Sequence, residues 1–308
     1  MSRGLLFIKD KMLLTVFTPT YNRAHTLVRL YESLCRQTCK AFEWLVVDDG
    51  STDGTRELVQ GFIDERLIPI RYVYKENGGL YTGYNTAYAN IDTELNVCID
   101  SDDFMPDNAV ELIADKWGRD GSDKYAGIVG LDFYAGTDRP IAGFFPDALR
   151  ECYLLDLYEK RVHRGDSKQV MRTDLMKRVA PQTGFPGEKN FNPIYMLLQV
   201  CDDFPLLVLN ENLCFVEYQA DSMSVDIYKQ YSDSPRSFAK LRRLEMGLKR
   251  SNLANKYRSA VHYVSSCLLS GDYGSLICPG HGVLSVLALI PGALWYLYVK
   301  YKTSGKQS

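Results

Sequence analysis

Three acids within four residues, Asp100, Asp102 and Asp103, follow the apolar run Leu95-Asn96-Val97-Cys98-Ile99. That run, with its β-branched Val97 and Ile99, has the pattern of a buried strand. A carboxylate inside such a strand is very costly to desolvate, so the acids must lie just past its carboxyl end. Open α/β sheets place their ligands at that edge. Clustered carboxylates repel one another unless a cation neutralises them, and hard cations such as Mg2+ or Mn2+ prefer oxygen ligands. The local chemistry points to a metal–diphosphate site. The same short pattern also suits a solvated acidic turn capping the next helix.

The elements that must position these acids are legible upstream. Leu13 to Thr18 reads as a first strand, followed by the loop Pro19-Thr20-Tyr21-Asn22-Arg23. Leu27, Leu30, Tyr31 and Leu34 then recur at helical spacing between about Thr26 and Gln37. Phe42 to Val47 is a second strand that also ends in acids, at Asp48-Asp49-Gly50-Ser51-Thr52-Asp53-Gly54. Ser51, Thr52 and Asp53 are suitable N-caps for a helix over 55–63. Ile70 to Tyr74 is a third strand, leading through Glu76-Asn77-Gly78-Gly79 to a helix from about Thr82 to Ala89. Strand, loop and helix thus alternate with short spacing, which implies parallel strands joined by right-handed crossovers. Their loops gather along one edge and bring together Tyr21, Asp49, Asn77-Gly78-Gly79 and Asp100/Asp102. A ring to stack a base, an acceptor for its imide N–H, a glycine pair for close backbone approach and a cation site are the parts a sugar nucleotide needs.

Thr18-Pro19-Thr20-Tyr21-Asn22-Arg23, Val46-Val47-Asp48-Asp49-Gly50-Ser51-Thr52-Asp53, Asn77-Gly78-Gly79 and Asp100-Ser101-Asp102-Asp103 together resemble the signature of family 2 glycosyltransferases. The resemblance covers about Leu13 to Asp107, with four motifs in the family's order and spacing. It implies a GT-A fold: α/β, Rossmann-like, with a mostly parallel central sheet flanked by helices. It implies that Pro19, Thr20, Tyr21, Arg23, Asp48, Asp49, Asn77, Gly79, Asp100 and Ser101 line the nucleotide-sugar. Tyr21 would flank the base, and Asp49, with Asp48 as the alternative, would accept from uracil N3–H. Asp100 would lie near the ribose, and Asn77 and Gly79 beside the diphosphate. Asp102 would ligate Mn2+ or Mg2+, with Asp103 the competing ligand. Leu80-Tyr81 stand where nearer relatives carry a basic residue and His.

In the second half, Pro106 and Asp107 open a helix to about Trp117, and Tyr125 to Phe133 reads as a strand broken by Gly127 and Gly130. Residues 136–168 are loop-rich and should shape an acceptor cleft; regular structure returns over 169–177. The segment Phe185-Pro186-Gly187-Glu188-Lys189-Asn190-Phe191-Asn192-Pro193 resembles a Gly-Glu-Lys-Phe stretch of a bacterial polysaccharide-type subgroup of the family. An inverting transfer needs one carboxylate to take the acceptor hydroxyl's proton. The resemblance puts Glu188 in that role; Asp202-Asp203, ahead of an apolar strand Leu206 to Leu209, is the rival. Glu217-Tyr218-Gln219-Ala220-Asp221-Ser222-Met223-Ser224 extends the resemblance weakly. The four scattered histidines suit packing or surface roles.

Composition bounds the rest. The chain has 308 residues, 46% hydrophobic and 24% charged, with net charge −2, so nucleic acid is not an expected partner. Its eight cysteines include no CxxC pair or zinc spacing, which suits reduced thiols in the cytoplasm. Residues before Met12 look like a loose extension. A GT-A domain is expected over 12–225, with a nucleotide-sugar half at 12–105 and an acceptor half at 106–225, then a C-terminal helical region at 226–308. Within that region, 282–299 is uncharged, interrupted by Pro291-Gly292 and followed by Lys300, Lys302 and Lys306. It reads as a buried helix pair, an interfacial helix on the inner face of the plasma membrane, or a span. The expected function is transfer of a sugar from a nucleotide donor, a uridine diphosphate sugar, to a hydroxyl of a glycan or lipid-linked acceptor. A non-catalytic sugar-nucleotide or glycan binder and a metal-dependent nucleotidyltransferase are the alternatives.

Overall fold

The computed structural model describes residues 12–159, 163, 165–217 and 227–304. The expected extension before Met12, the stretch from Tyr218 to Ser224, and Lys306 lie outside the described residues. The chain forms two compact units. The first comprises Met1–Gly78, Thr82–Pro181 and Asp203–Glu217; the second comprises Gly79–Tyr81, Gln182–Asp202 and Tyr218–Ser308.

The first unit is built on an eight-stranded sheet. Its strands are β1 (Leu14–Thr20), β2 (Phe42–Asp48), β3 (Ile70–Tyr74), β4 (Leu95–Cys98), β5 (Gly127–Tyr134), β6 (Glu151–Cys152), β7 (Ser167–Arg172) and β8 (Leu206–Val216). The order across the sheet is β3-β2-β1-β4-β7-β5-β8-β6. β1 pairs in parallel with both β2 and β4, and β2 with β3. β7 runs antiparallel between β4 and β5, and β8 lies parallel to β5. The helices between strands are α1 (Ala24–Cys35), α2 (Thr55–Glu65), α3 (Leu80–Asn90), α4 (Ala109–Asp120), α5 (Leu154–Glu159) and α6 (Thr173–Val179). The chain thus steps outward from β1 to β3, then returns to place β4 on the other side of β1. That reversal is the switch point at which such sheets open a ligand crevice beyond the strand ends.

Burial explains why these strands form. All seven residues of β1 are buried, and Trp44, Val46 and Val97 join Leu27, Leu30 and Leu34 of α1 in one core. Tyr31, Trp44 and Phe62 stack within it, and Trp44 donates to the Thr18 hydroxyl at 3.0 Å, so the indole N–H is not left orphaned. Several local expectations are corrected. β5 opens at Gly127 rather than Tyr125 and runs on through Gly130, where its pairing with β8 shifts register; the two glycines face Val170 and Leu213 of adjoining strands. β8 runs on to Val216, well past the apolar Leu206–Leu209 core, because its later residues pair with β5 across register shifts. The helix after Pro106 begins at Ala109, after a turn closed by Ala109 N–H on the Pro106 carbonyl.

The second unit is helical: α7 (Ile194–Cys201), α8 (Ile227–Asp233), α9 (Pro235–Gly247), α10 (Leu253–Ser270) and α11 (Gly282–Ser304). Met246, Tyr263, Val264, Cys267 and Ala288 form its core. Asn252 caps α10 by accepting from Asn255 N–H at 3.0 Å. Pro291-Gly292 does not interrupt α11, which runs unbroken for 23 residues.

Candidate active site

The switch point carries the acids. Register pairs Thr20 with Asp48 at the ends of β1 and β2, and Asp49 N–H donates to the Thr20 carbonyl at 2.8 Å. On the other side, Ile99 N–H donates to the Phe17 carbonyl at 3.1 Å, and Asp103 N–H closes a turn on the Asp100 carbonyl at 3.1 Å. The sheet therefore delivers Pro19, Thr20, Tyr21, Arg23, Asp48, Asp49, Asn77, Asp100, Ser101 and Asp102 to one edge of the first unit. Tyr21 is 49% exposed, so its ring is available to stack on a ligand.

The two acids after β2 differ in what they hold. Asp48 is buried; one carboxylate oxygen accepts from Ser51 N–H at 2.7 Å and the other from the Tyr72 hydroxyl at 2.5 Å. It serves the turn. Asp49 is seated against the β3 loop: it pairs with Lys75, accepts from Gly78 N–H at 2.9 Å and meets the Asn77 amide at 3.2 Å. The Asn77 amide also donates to the Asp49 carbonyl at 2.9 Å. Asp49 therefore ties two of the converging loops together. The neighbouring turn is braced by Asn22, whose N–H reaches Ser51 Oγ at 2.9 Å and whose side-chain oxygen accepts from Thr52 N–H at 2.8 Å. Asp53 caps twice, accepting from Ala24 N–H at the start of α1 and from Thr55 at the start of α2.

The three acids after β4 separate by environment. Asp103 is buried, 3.9 Å from the Lys168 ammonium and 3.8 Å from the Cys214 thiol. Lys168 also lies 3.7 Å from buried Asp132 on β5. Burial pushes Asp103 up to about 7 despite the pull of Lys168, and Asp132 up to about 6 for the same reason. Burial alone would lower the Lys168 ammonium, but Asp132, Cys214 and Asp103 hold it well above its ordinary value. Asp103 is thus committed to an internal cation. Asp102 is half-buried, and no ion pair reaches its carboxylate among the described residues. Burial, then the Asp100 charge, pushes that carboxyl above the usual range, with Arg23 and Arg29 opposing from a distance. Arg29 on α1 fixes the turn: it donates to the Asp102 carbonyl, pairs with Glu217 and lies 4.7 Å over the Phe104 ring.

Two neighbouring carboxylates that no ion pair reaches among the described residues, Asp100 exposed and Asp102 half-buried, fit a hard divalent cation that keeps part of its shell for phosphate and water. No group of three His, Cys, Asp or Glu side chains close enough to hold a metal occurs among the described residues, so the chain itself would supply one or two ligands.

Gly79 and Glu188 belong to the second unit. Gly79 sits at φ +92°, and a Cβ there would come 2.3 Å from the Lys189 carbonyl oxygen, so the position excludes a side chain. Glu188 is buried and bonded by both oxygens, to Arg236 N–H at 2.9 Å and Ser237 N–H at 2.7 Å. These are the first free donors of α9, because Pro235 at its start has no N–H. Asp202 accepts from Lys249 N–H at 3.0 Å and Arg250 N–H at 3.3 Å, as a turn-closing acid does.

Lys168, Asp132, Lys75 and Arg29 were not singled out by sequence reasoning. A lone acid inside the apolar run Gly127–Tyr134 was the available signal, since a buried carboxylate demands a partner.

The sheet order and its switch-point acids define a GT-A scaffold, and the known proteins agree. Glycosyl transferase family 2 matches residues 15–177, just over half of the chain, and the chain belongs to that family. Glycosyltransferase GlyA of Streptococcus pneumoniae is 34% identical over 113 residues, 36% of this chain and 16% of that protein. Chondroitin synthase of Escherichia coli is 33% identical over 113 residues, 37% of this chain and 16% of that protein. The chain therefore spans about a sixth of the length of these relatives. Among solved structures, residues 1–349 of TarS from S. aureus superpose with TM-score 0.59 at 20% identity, covering 87% of this chain and 75% of that one. Mannosyltransferase PcManGT of Pyrobaculum calidifontis superposes with TM-score 0.54 at 16% identity, covering 94% and 88%. These structures share the fold.

Proposed function

We propose that the protein is an inverting glycosyltransferase that moves a sugar from a uridine diphosphate donor to an acceptor hydroxyl in cell-surface polysaccharide or glycan assembly. The observation that carries this reading is the division of labour after β4. Asp103 lies 3.9 Å from the internal cation Lys168, while no ion pair among the described residues reaches Asp100 or Asp102 at the ligand edge. Support comes from TarS, whose structures were determined with UDP and with UDP-GlcNAc, and from PcManGT, determined with GDP-Man and Mn2+.

In this reading Tyr21 stacks on the base, and Pro19, Thr20, Arg23 and Ser101 border the nucleoside. Asp49 accepts from the base N–H while Asp48 holds the turn beneath it. Asp100 faces the ribose, and Asn77 and Gly79 border the diphosphate. Asp102 holds Mn2+ or Mg2+, which when bound supplies positive charge to the leaving diphosphate. Glu188 takes the acceptor hydroxyl's proton as that oxygen bonds to the anomeric carbon and the carbon–diphosphate bond breaks. Its two backbone hydrogen bonds fix the carboxylate's direction and leave each oxygen a second lone pair. The acceptor is a glycan or lipid-linked glycan, and a peripheral contact with the inner face of the plasma membrane through 226–308 belongs to the same reading.

A thermal-shift screen of nucleotide sugars with Mn2+ tests it, because a ligand that binds only the folded state raises the melting temperature by mass action. A uridine diphosphate sugar should give the largest shift. Equal shifts from every nucleotide sugar, or none from any, would count against the donor assignment.

A further inference from the structure

We infer that α11 lies flat in the interface of an anionic lipid bilayer, docked by one face on its own unit and by the other on the membrane. This deepens the peripheral contact of the proposed function and is independent of the donor chemistry. α11 is long and apolar enough to cross a membrane, yet less than a quarter of its apolar window is buried. Its exposed residues are not scattered. Val283 (77%), Leu287 (61%), Ile290 (76%), Leu294 (62%), Leu297 (59%) and Tyr301 (75%) recur at three- and four-residue spacing and form a single stripe. At 1.5 Å rise per residue that stripe extends about 27 Å. Soluble monomers rarely leave a continuous apolar face of this size open.

The opposite face is committed to protein. Ser285, Ala288, Gly292 and Val299 are buried, at near-heptad spacing. A Cβ at Gly292 would come within 2.6 Å of the Val264 side chain, so the glycine permits close contact with α10. Pro291 has no N–H for the Leu287 carbonyl four residues before it. The Tyr257 hydroxyl of α10 reaches that carbonyl at 3.3 Å. The Pro-Gly pair is therefore part of the docking seam on α10. α10, on which the seam rests, carries Lys256, Arg258 and His262, and its Ser259 donates to Glu245 of the half-buried pair Arg242–Glu245. A helix fastened along so polar a partner cannot be ringed by hydrocarbon, which argues against a span.

Charge selects the occupant. α11 carries no acid, and Lys300 and Lys302 fall on either side of the stripe at its carboxyl end. Their ammonium groups rest 5.0 Å over the Tyr296 ring and 5.6 Å over the Tyr298 ring. Lysines that flank an apolar stripe, with tyrosines at the same level, match the headgroup layer of an anionic leaflet. A second copy packed antiparallel along the stripe would set these lysines against the apolar start of α11, which has no carboxylate to receive them.

Co-sedimentation of the full chain with vesicles tests the inference. Binding to phosphatidylglycerol-containing vesicles should exceed binding to pure phosphatidylcholine. Ile290→Glu/Leu294→Glu should abolish it while UDP binding in solution persists, which separates this inference from the donor assignment. Lys300→Gln/Lys302→Gln should weaken it roughly thirtyfold, as about 1 kcal/mol per basic residue near an anionic surface implies. Fluorescence of Leu294→Trp should be quenched more by bromines placed near the headgroup than by bromines at the chain ends. The inference is overturned if the chain ignores both kinds of vesicle or if deep bromines quench best. It is equally overturned if Ile290→Glu/Leu294→Glu instead converts a stable dimer into a monomer.

Discussion

At the scale of single residues, the decisive contrast is between carboxylates that are satisfied and carboxylates that are not. Asp48 is bonded through both oxygens and buried Asp103 lies against Lys168, whereas Asp100 is exposed and Asp102 half-buried. Replacing Lys168 by Met should destabilise the first unit by about 3 kcal/mol, because two buried acids lose their cation. Both acids have folded-state values above their unfolded ones, so the loss should grow as pH rises from 6 to 8. Urea unfolding of the variant at the two pH values measures this, and adding Asp132→Asn should restore part of the stability. Glu188 carries two expectations that one variant separates. Glu188→Gln keeps the shape, loses the base and turns an N–H group toward the free N–H groups at the start of α9. As a base, it should cost roughly a hundredfold or more in kcat with donor KM unchanged. As a cap, it should cost about 1 kcal/mol in stability. A variant that melts lower but turns over normally assigns Glu188 to the helix alone. Residue types announced Asp100 to Asp103 from the sequence, since no buried strand tolerates them. They did not announce which acid is neutralised from within, because Lys168 is 65 residues away and meets Asp103 only through the β4–β7–β5 pairing.

At the scale of elements, the first four strands and three crossovers were readable from alternation and caps, and the loops they carry converge as the parallel pairing requires. The second half was less readable for a physical reason. β7 runs against its neighbours, and β8 keeps its pairing with β5 only through register shifts, so neither shows a clean repeat. In the helical unit, α10 carries a titratable group in its packing. His262 stacks on Tyr231 and meets Trp295 edge-on, with its Nδ1 buried and unpartnered among the described residues. Burial first, then Arg242 and Arg258, pushes it down to about 4 from 6.5. The unfolded chain therefore takes up this proton before the folded one does. Stability present above pH 6.5 is lost as pH falls toward 4, by about 3 kcal/mol at most. Unfolding followed at pH 7 and pH 4.5 should show that loss, and His262→Gln should reduce it.

At the scale of the whole molecule, the family match over 15–177 contains the half that the sequence made most legible, and the shared fold extends well beyond it. Apolar patterning and four motifs defined that half. The apolar segment at 282–299 kept three readings open because composition cannot say which face of a helix is covered; packing on α10 answers that for one face. The account's central claim is that a divalent cation on Asp102 joins the chain to a nucleoside diphosphate. Calorimetric titration of UDP into the wild-type chain and into Asp102→Asn, each with Mn2+ and with EDTA, tests it most directly. The account predicts wild-type binding in Mn2+ that falls at least tenfold in EDTA, and equally weak binding by the variant in both. UDP affinity that is indifferent to the metal, or unchanged by loss of the Asp102 carboxylate, would contradict it.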